Sequence, residues 1–245
     1  MRYPRRSLSI GIVLLIAISC FAATTSAQSG EENHPTEDDP YMYFWGNEDL
    51  SECWNNFDSN ASIGSASEGY GEIFFPEGQD VNVELSCNLH TGFSDDFILE
   101  INKSISIRMK FNIESGNCGN DCTDLTLTLF RGQEQISQHV EPANSVNNGN
   151  DFTTQWDILV NDSIRAWAQD TQISISVAYS VPAEGGPLCQ SPIPTPGSDC
   201  SGNFRMYYSD EGGSPGDVHA EFPIYVSLTD AGSNAGKTNL GPIIF

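Results

Sequence analysis

Acids, aromatics and cysteines are the residues of this chain best placed to do chemistry. Asp210, Glu211 and Asp217 fall in a glycine-rich stretch, Asp210-Glu211-Gly212-Gly213-Ser214-Pro215-Gly216-Asp217. Calcium takes several oxygen ligands from flexible loops. These three are therefore the candidate metal ligands, with calcium the one cofactor they suit; solvated turn acids are the competing and commoner reading. Asp95-Asp96 form another acidic cluster. Asp58-Ser59-Asn60-Ala61-Ser62 begins like an EF-hand loop, but Ile63 stands where glycine is required and no Glu falls at position twelve. Paired carboxylates can hydrolyse glycosides, yet 33 acidic residues make such pairs unavoidable. There is no G-x-S-x-G elbow, P-loop, H-E-x-x-H or G-x-G-x-x-G, and the four histidines are scattered. No catalytic residue is assigned, and a non-enzyme is expected.

Exposed aromatics suit a different task, stacking on sugar rings. Trp54, Tyr207 and Tyr208 are the ligand-binding candidates, with Trp45 and Tyr70 beside them. Neighbours on a strand point to opposite faces, so one of Tyr207 and Tyr208 is expected to face outward. Core filling is the competing fate of all five. Three N-x-S sequons, at Asn60, Asn102 and Asn161, permit glycosylation in a suitable host.

Six cysteines follow the apolar N-terminal segment: Cys53, Cys87, Cys118, Cys122, Cys189 and Cys200. An even number in an exported chain points to disulfides. Proximity favours Cys53–Cys87, Cys118–Cys122 and Cys189–Cys200 among the possible pairings. Zinc would need a second close pair or nearby histidines, and the sequence offers neither.

The export signal itself is compositional. Arg2, Arg5 and Arg6 precede an apolar run, Leu8 to Ala23, which ends in Ala22-Ala23-Thr24-Thr25-Ser26-Ala27. That is a signal-peptide pattern over residues 1–27. The run is shorter than the about 20 apolar residues that a spanning helix needs. Two alternatives are an uncleaved membrane anchor and a lipidated Cys20, after the box Ala17-Ile18-Ser19-Cys20. Either way the protein is expected outside the cell, secreted or at its surface, with no membrane insertion of the mature domain. The full chain carries a net charge of −23; without residues 1–27, seven basic residues face 33 acidic ones, a net of −26. Such a field repels nucleic acid and anionic lipid.

The elements that must position these residues read as strands. Ser104 to Glu114 alternates Ile105, Ile107, Met109, Phe111 and Ile113 with Ser106, Arg108, Lys110 and Asn112, a strict period of two. Asp124 to Phe130 repeats the pattern, and the Cys118–Cys122 turn is expected to join these two segments as a hairpin. Thr171 to Val181 alternates again, with Trp156 and Trp167 expected in the core. Further strands are expected over Tyr41 to Trp45, Glu72 to Phe75, Val81 to Cys87, Gln133 to Val140, Thr153 to Val160, Phe204 to Ser209 and Val218 to Leu228. A long loop is expected from Gly46 to Gly71, and a helical turn or two over Ser163 to Asp170. The fold class is all-β: a two-sheet antiparallel sandwich, jelly-roll-like and stapled by disulfides. A closed barrel is the alternative. Residues 28–40 read as an acidic flexible lead-in, 41–229 as the sandwich domain and 230–245 as a flexible tail.

Tyr41-Met42-Tyr43-Phe44-Trp45-Gly46-Asn47-Glu48-Asp49-Leu50 and Arg205-Met206-Tyr207-Tyr208-Ser209-Asp210-Glu211-Gly212-Gly213-Ser214 carry a resemblance of pattern and composition. The chain resembles secreted acidic β-sandwich surface proteins of marine archaea, which are similar in architecture to carbohydrate-binding modules. The resemblance implies a fold and transfers no functional residue. The function expected is a non-catalytic extracellular binding or adhesion module that takes a glycan or a surface protein. A structural subunit of a surface layer or fibre is the alternative, and a secreted hydrolase comes third.

Overall fold

A computed structural model describes residues 33–58, 65–76, 80–114, 123–147, 149–181, 202–210 and 216–225. All of them belong to one compact unit, Glu32–Phe245. The expected signal peptide, the tail at 230–245, Cys20, Cys118, Cys122, Cys189, Cys200 and Glu211 lie outside the described residues.

The strands are β1 (Tyr41–Gly46), β2 (Cys53–Asn56), β3 (Tyr70–Phe75), β4 (Val81–Leu89), β5 (Phe97–Ile98), β6 (Ser104–Glu114), β7 (Leu125–Arg131), β8 (Glu134–Glu141), β9 (Asp151–Leu159), β10 (Ala166–Trp167), β11 (Ile173–Val181), β12 (Gly202–Tyr207) and β13 (His219–Glu221). One short helix, α1 (Ala143–Val146), links β8 to β9. The period-two pattern of β6 is realised in full. Ile105, Ile107, Met109, Phe111 and Ile113 are completely buried, while their neighbours lie on the outer face. Each such side chain gains roughly 1.5–3 kcal/mol from leaving water, which locks the register: a slip by one residue would put all five into solvent.

Pairing runs without a break through ten strands, β3-β12-β6-β13-β1-β2-β4-β11-β7-β8, and β9 joins the other edge of β6. β1 is the hinge of this arrangement. Its first residues, Tyr41 and Met42, pair with β13; Tyr43 to Gly46 pair with β2. One arm therefore holds β3, β12, β13, β6 and β9, and the other holds β2, β4, β11, β7 and β8. Inward side chains of both arms form one apolar cluster. Tyr179 on β11 meets Phe204 on β12 at 6.2 Å between ring centroids. The expectation of purely antiparallel sheets fails at β2, which runs parallel to β4. The chain leaves β2, makes β3 in the other arm and returns as β4, and such a crossover is what a parallel pair requires.

The expected hairpin of β6 with β7 is also not formed. Among the described residues β6 pairs with β9, β12 and β13, whereas β7 pairs with β8 and β11. The connection crosses between arms because each strand has an apolar face to bury against the other arm. Ser163 to Asp170 is not helical. It contains a turn and then β10, which pairs with β5. This small sheet sits on an aromatic cluster: Trp167 stacks on Phe97 at 5.8 Å and meets Phe93 edge-on at 5.9 Å and Phe222 edge-on at 6.3 Å.

The lead-in is tied down where it is described. Asn33 is 7 % exposed; its Oδ1 accepts from the Phe57 N–H (3.0 Å) and its Nδ2 donates to the Thr91 carbonyl (2.7 Å). Its backbone N–H donates to Ser94 Oγ at 3.0 Å. A buried amide satisfied this way fixes the backbone around Asn33. Among the described residues no helix is long and apolar enough to cross a membrane.

Candidate functional site

The expected Cys53–Cys87 disulfide is formed, and it sets the geometry of the site. The two cysteines are register partners in the β2–β4 pair, so the next residues, Trp54 and Asn88, also lie opposite each other. Asn55 is fully buried, and its Nδ2 donates to the Cys87 carbonyl at 2.8 Å, tying β2 to β4 a second time. Alternation sends Cys87 inward and Ser86 and Asn88 outward. Trp54 thus stands on the outer face, half-buried, in a groove of about 370 Å³ lined by Leu50, Glu52, Glu84, Ser86, Asn88 and His90 among others. Ser86 Oγ donates to Asn88 Oδ1 at 3.1 Å, which pre-orients that amide. The groove offers one indole ring edged by carboxylates, an amide, a hydroxyl and an imidazole.

The other candidate aromatics do not join it. Tyr207 lies on the outer face of the opposite arm. Lys110 Nζ stands 4.4 Å over its ring, and its hydroxyl donates to Asp151 Oδ1 at 2.9 Å. Tyr70 is its neighbour at 5.6 Å, with the Arg205 guanidinium 4.1 Å over the Tyr70 ring. Arg205 pairs with Glu72 at 3.0 Å, and Lys110 pairs with Asp151 at 3.1 Å. The rings of this face are already occupied by cations. Tyr208 is corrected outright as a stacking residue. It is 4 % exposed and donates to the Asn47 carbonyl at 2.8 Å. Burial, with the nearby Asp49 charge, pushes its hydroxyl far above the ordinary tyrosine value. A Cβ at Gly46 or Gly71 would collide with that hydroxyl, so both positions need glycine for close approach. Trp45 is 1 % exposed, and its Nε1–H donates to Asn56 Oδ1 at 3.1 Å.

The acidic loop is not assembled into an ion site by the described residues. Asp210 is exposed, and Asp217 faces Arg108 at 3.9 Å. Among the described residues no group of three or more His, Cys, Asp or Glu side chains could hold a metal.

One polar cluster has the composition of a nucleophilic site. His139 and Glu141 on β8 meet Thr154 on β9, where the two arms' edge strands approach. Thr154 Oγ1 donates to Glu141 Oε1 at 2.6 Å, and His139 Nε2 lies 3.0 Å from the same oxygen and 2.9 Å from Thr154 Oγ1. In a working triad the acid holds one imidazole nitrogen and the nucleophile the other. Here acid and hydroxyl share Nε2, so a proton directed at Glu141 blocks that nitrogen as a base. The arrangement is a latch between the arms, supported by the His139 ring stacked on Trp156 at 6.0 Å. Burial alone would raise the Glu141 pKa; the hydrogen bonds from Thr154 and His139 outweigh it and hold the carboxyl below its ordinary value of 4.5. A depressed carboxyl stabilises the fold above its unfolded value and loses that contribution as pH falls through the folded one. Glu141→Gln is therefore expected to flatten the stability profile below about pH 4.5, by no more than about 1 kcal/mol for a half-buried pair at the sheet edge. Denaturant midpoints measured at pH 3 to 7 check this.

Comparison with known proteins adds no identity. No family model matches this chain. No curated protein matches it either. Among solved structures, the chain is similar at 14 % identity to one titled as infectious bursal disease virus, Gx strain, over 64 % of this chain and 36 % of that one, with a TM-score of 0.23. Another match is dimeric latent PorU from Porphyromonas gingivalis, at 9 % identity over 74 % of this chain and 25 % of that one, with a TM-score of 0.18. The chain spans only about a third and a quarter of those two chains, and no functional argument rests on either.

Sequence reasoning missed Glu52, Glu84, Ser86, Asn88 and His90 as groove residues because β2 read as loop. A partial signal was present: pairing Cys53 with Cys87 places Trp54 beside Asn88 if the strands run parallel, as they do, and beside Ser86 if they run antiparallel.

Proposed function

We propose that this protein is an extracellular, non-catalytic binding module, secreted or held at the cell surface, that takes a neutral glycan in the Trp54 groove. Its two arms are read as the halves of a jelly-roll-like sandwich, with the groove on the outer face of one of them. The observation that carries the proposal is the half-exposed Trp54 ring edged by Glu52, Glu84, Ser86, Asn88 and His90. A pyranose presents one apolar face, which suits an indole, and a rim of hydroxyls, which suits carboxylate, amide and imidazole partners. The two glutamates and the net charge of −23 over the full chain disfavour sulfated or uronate sugars. Binding at an open groove of this kind is weak for a single sugar, because little of the ligand is enclosed.

A glycan array probed with the secreted protein is the test. Binding to neutral oligosaccharides is expected, with loss of at least about tenfold in affinity on Trp54→Ala. A blank array, or binding that Trp54→Ala leaves intact, contradicts the proposal.

A further inference from the structure

We propose that Asn102 and Asn161 are a paired N-glycosylation site that caps one end of the β6–β9 ladder. The proposal rests on the export reading above and is independent of what the Trp54 groove binds. The two asparagines lie two residues beyond the last ladder pair, Ser104 with Leu159, one on each strand. The Asn102 N–H donates to the Val160 carbonyl (3.1 Å), and the Val160 N–H donates to the Lys103 carbonyl (2.8 Å), so the register continues into both turns. Two of the three sequons, distant in sequence, are thereby brought across from each other.

Both sequons are open to a glycan in the folded protein. Asn102, Lys103 and Ser104 are exposed, as are Asn161, Asp162 and Ser163. Asn161 Oδ1 accepts from the Ser163 N–H (2.9 Å) and Oγ–H (2.7 Å), while no hydrogen bond of its Nδ2 is seen among the described residues. The nitrogen that would carry the sugar thus stands clear of the fold. Asn102 sits at φ 66°, a conformation asparagine tolerates better than most residues.

The reaction joins Asn Nδ2 to the anomeric carbon of a lipid-phosphate-linked oligosaccharide. The anomeric carbon–oxygen bond breaks, the lipid phosphate leaves with the bonding electrons, and the amide gives up one proton to solvent. Two glycans rooted here would cover Leu159, which is 60 % exposed at the end of β9. β9 pairs only with β6 among the described residues. A bulky polar group at the end of such an edge discourages edge-to-edge pairing with another chain.

The test is glycopeptide mass spectrometry on the protein secreted by its own host. The peptides bearing Asn102 and Asn161 are expected to carry hexose-containing glycans. Ser163→Ala should remove one and Ser104→Ala the other, each leaving its asparagine in place, and Ser163→Thr should keep the first. The Ser104→Ala variant leaves the Asn102 turn untouched, so it separates modification from turn chemistry. Unmodified peptides at both positions in the secreted protein overturn the proposal, and leave export and glycan binding standing.

Discussion

Removing the Cys53–Cys87 bridge should destabilise the protein by about 4 kcal/mol, the chain-entropy value for a loop of this size. The bridge spans 34 residues of sequence and joins directly opposed positions of a parallel strand pair. Parallel pairing has no tight turn to hold its register, so in this pair the covalent link does part of what a hairpin turn does elsewhere. β2 is only four residues long, and its other ties to β4 are a short ladder and the Asn55 amide bonded to the Cys87 carbonyl. The double variant Cys53→Ala with Cys87→Ala isolates this bridge from the other cysteines. Its urea unfolding midpoint should fall with the slope little changed. A shift worth under about 1 kcal/mol would mean that β2 is held by packing alone.

Trp167→Ala should cost about 3–5 kcal/mol, the range for truncating a buried large aromatic. Trp167 is 1 % exposed and closes the aromatic cluster with Phe93, Phe97 and Phe222. Its Nε1–H donates to the Ile164 carbonyl at 2.9 Å, and the Arg131 guanidinium lies 5.4 Å over its ring. The cavity left behind cannot collapse easily, because its walls are the rings of Phe93, Phe97 and Phe222, which already pack against one another. Trp167→Phe keeps most of the ring area but strands the Ile164 carbonyl, so a smaller loss of about 1–3 kcal/mol is expected. Chemical denaturation of both variants checks the order: if the phenylalanine variant were as destabilised as the alanine one, the hydrogen bond rather than the cavity would dominate.

The strands were legible in proportion to how cleanly one face is buried. β6 and β11 alternate strictly because one face meets the core and the other meets water, and their ranges could be read almost to the residue. β2, β5 and β10 could not. Cys53-Trp54-Asn55-Asn56 is short and polar, and Phe97-Ile98 and Ala166-Trp167 are only two residues each, so none completes a period. Partnership was less legible than existence. Nothing in the alternation of β6 and β7 tells whether their apolar faces lie side by side in one sheet or face each other across a core, and turn residues between them suggested the wrong answer. Tyr207 and Tyr208 show the same limit. Alternation required one of them outward and did not say which; the glycines at 46 and 71, which admit the Tyr208 hydroxyl, decide it. The groove was within reach of the sequence only through the cysteines, whose pairing carries Trp54 to the outer edge of β4.

Ligand binding at Trp54 can be watched directly. The chain has four tryptophans, and Trp45, Trp156 and Trp167 are at most 5 % exposed. Trp54 is thus the indole that a soluble ligand or quencher reaches first. Titration of the folded protein with neutral oligosaccharides should give a saturable change in tryptophan emission and protect it from acrylamide quenching, and both responses should vanish in Trp54→Ala. An emission spectrum that no sugar alters, or a response that persists without Trp54, would contradict the account.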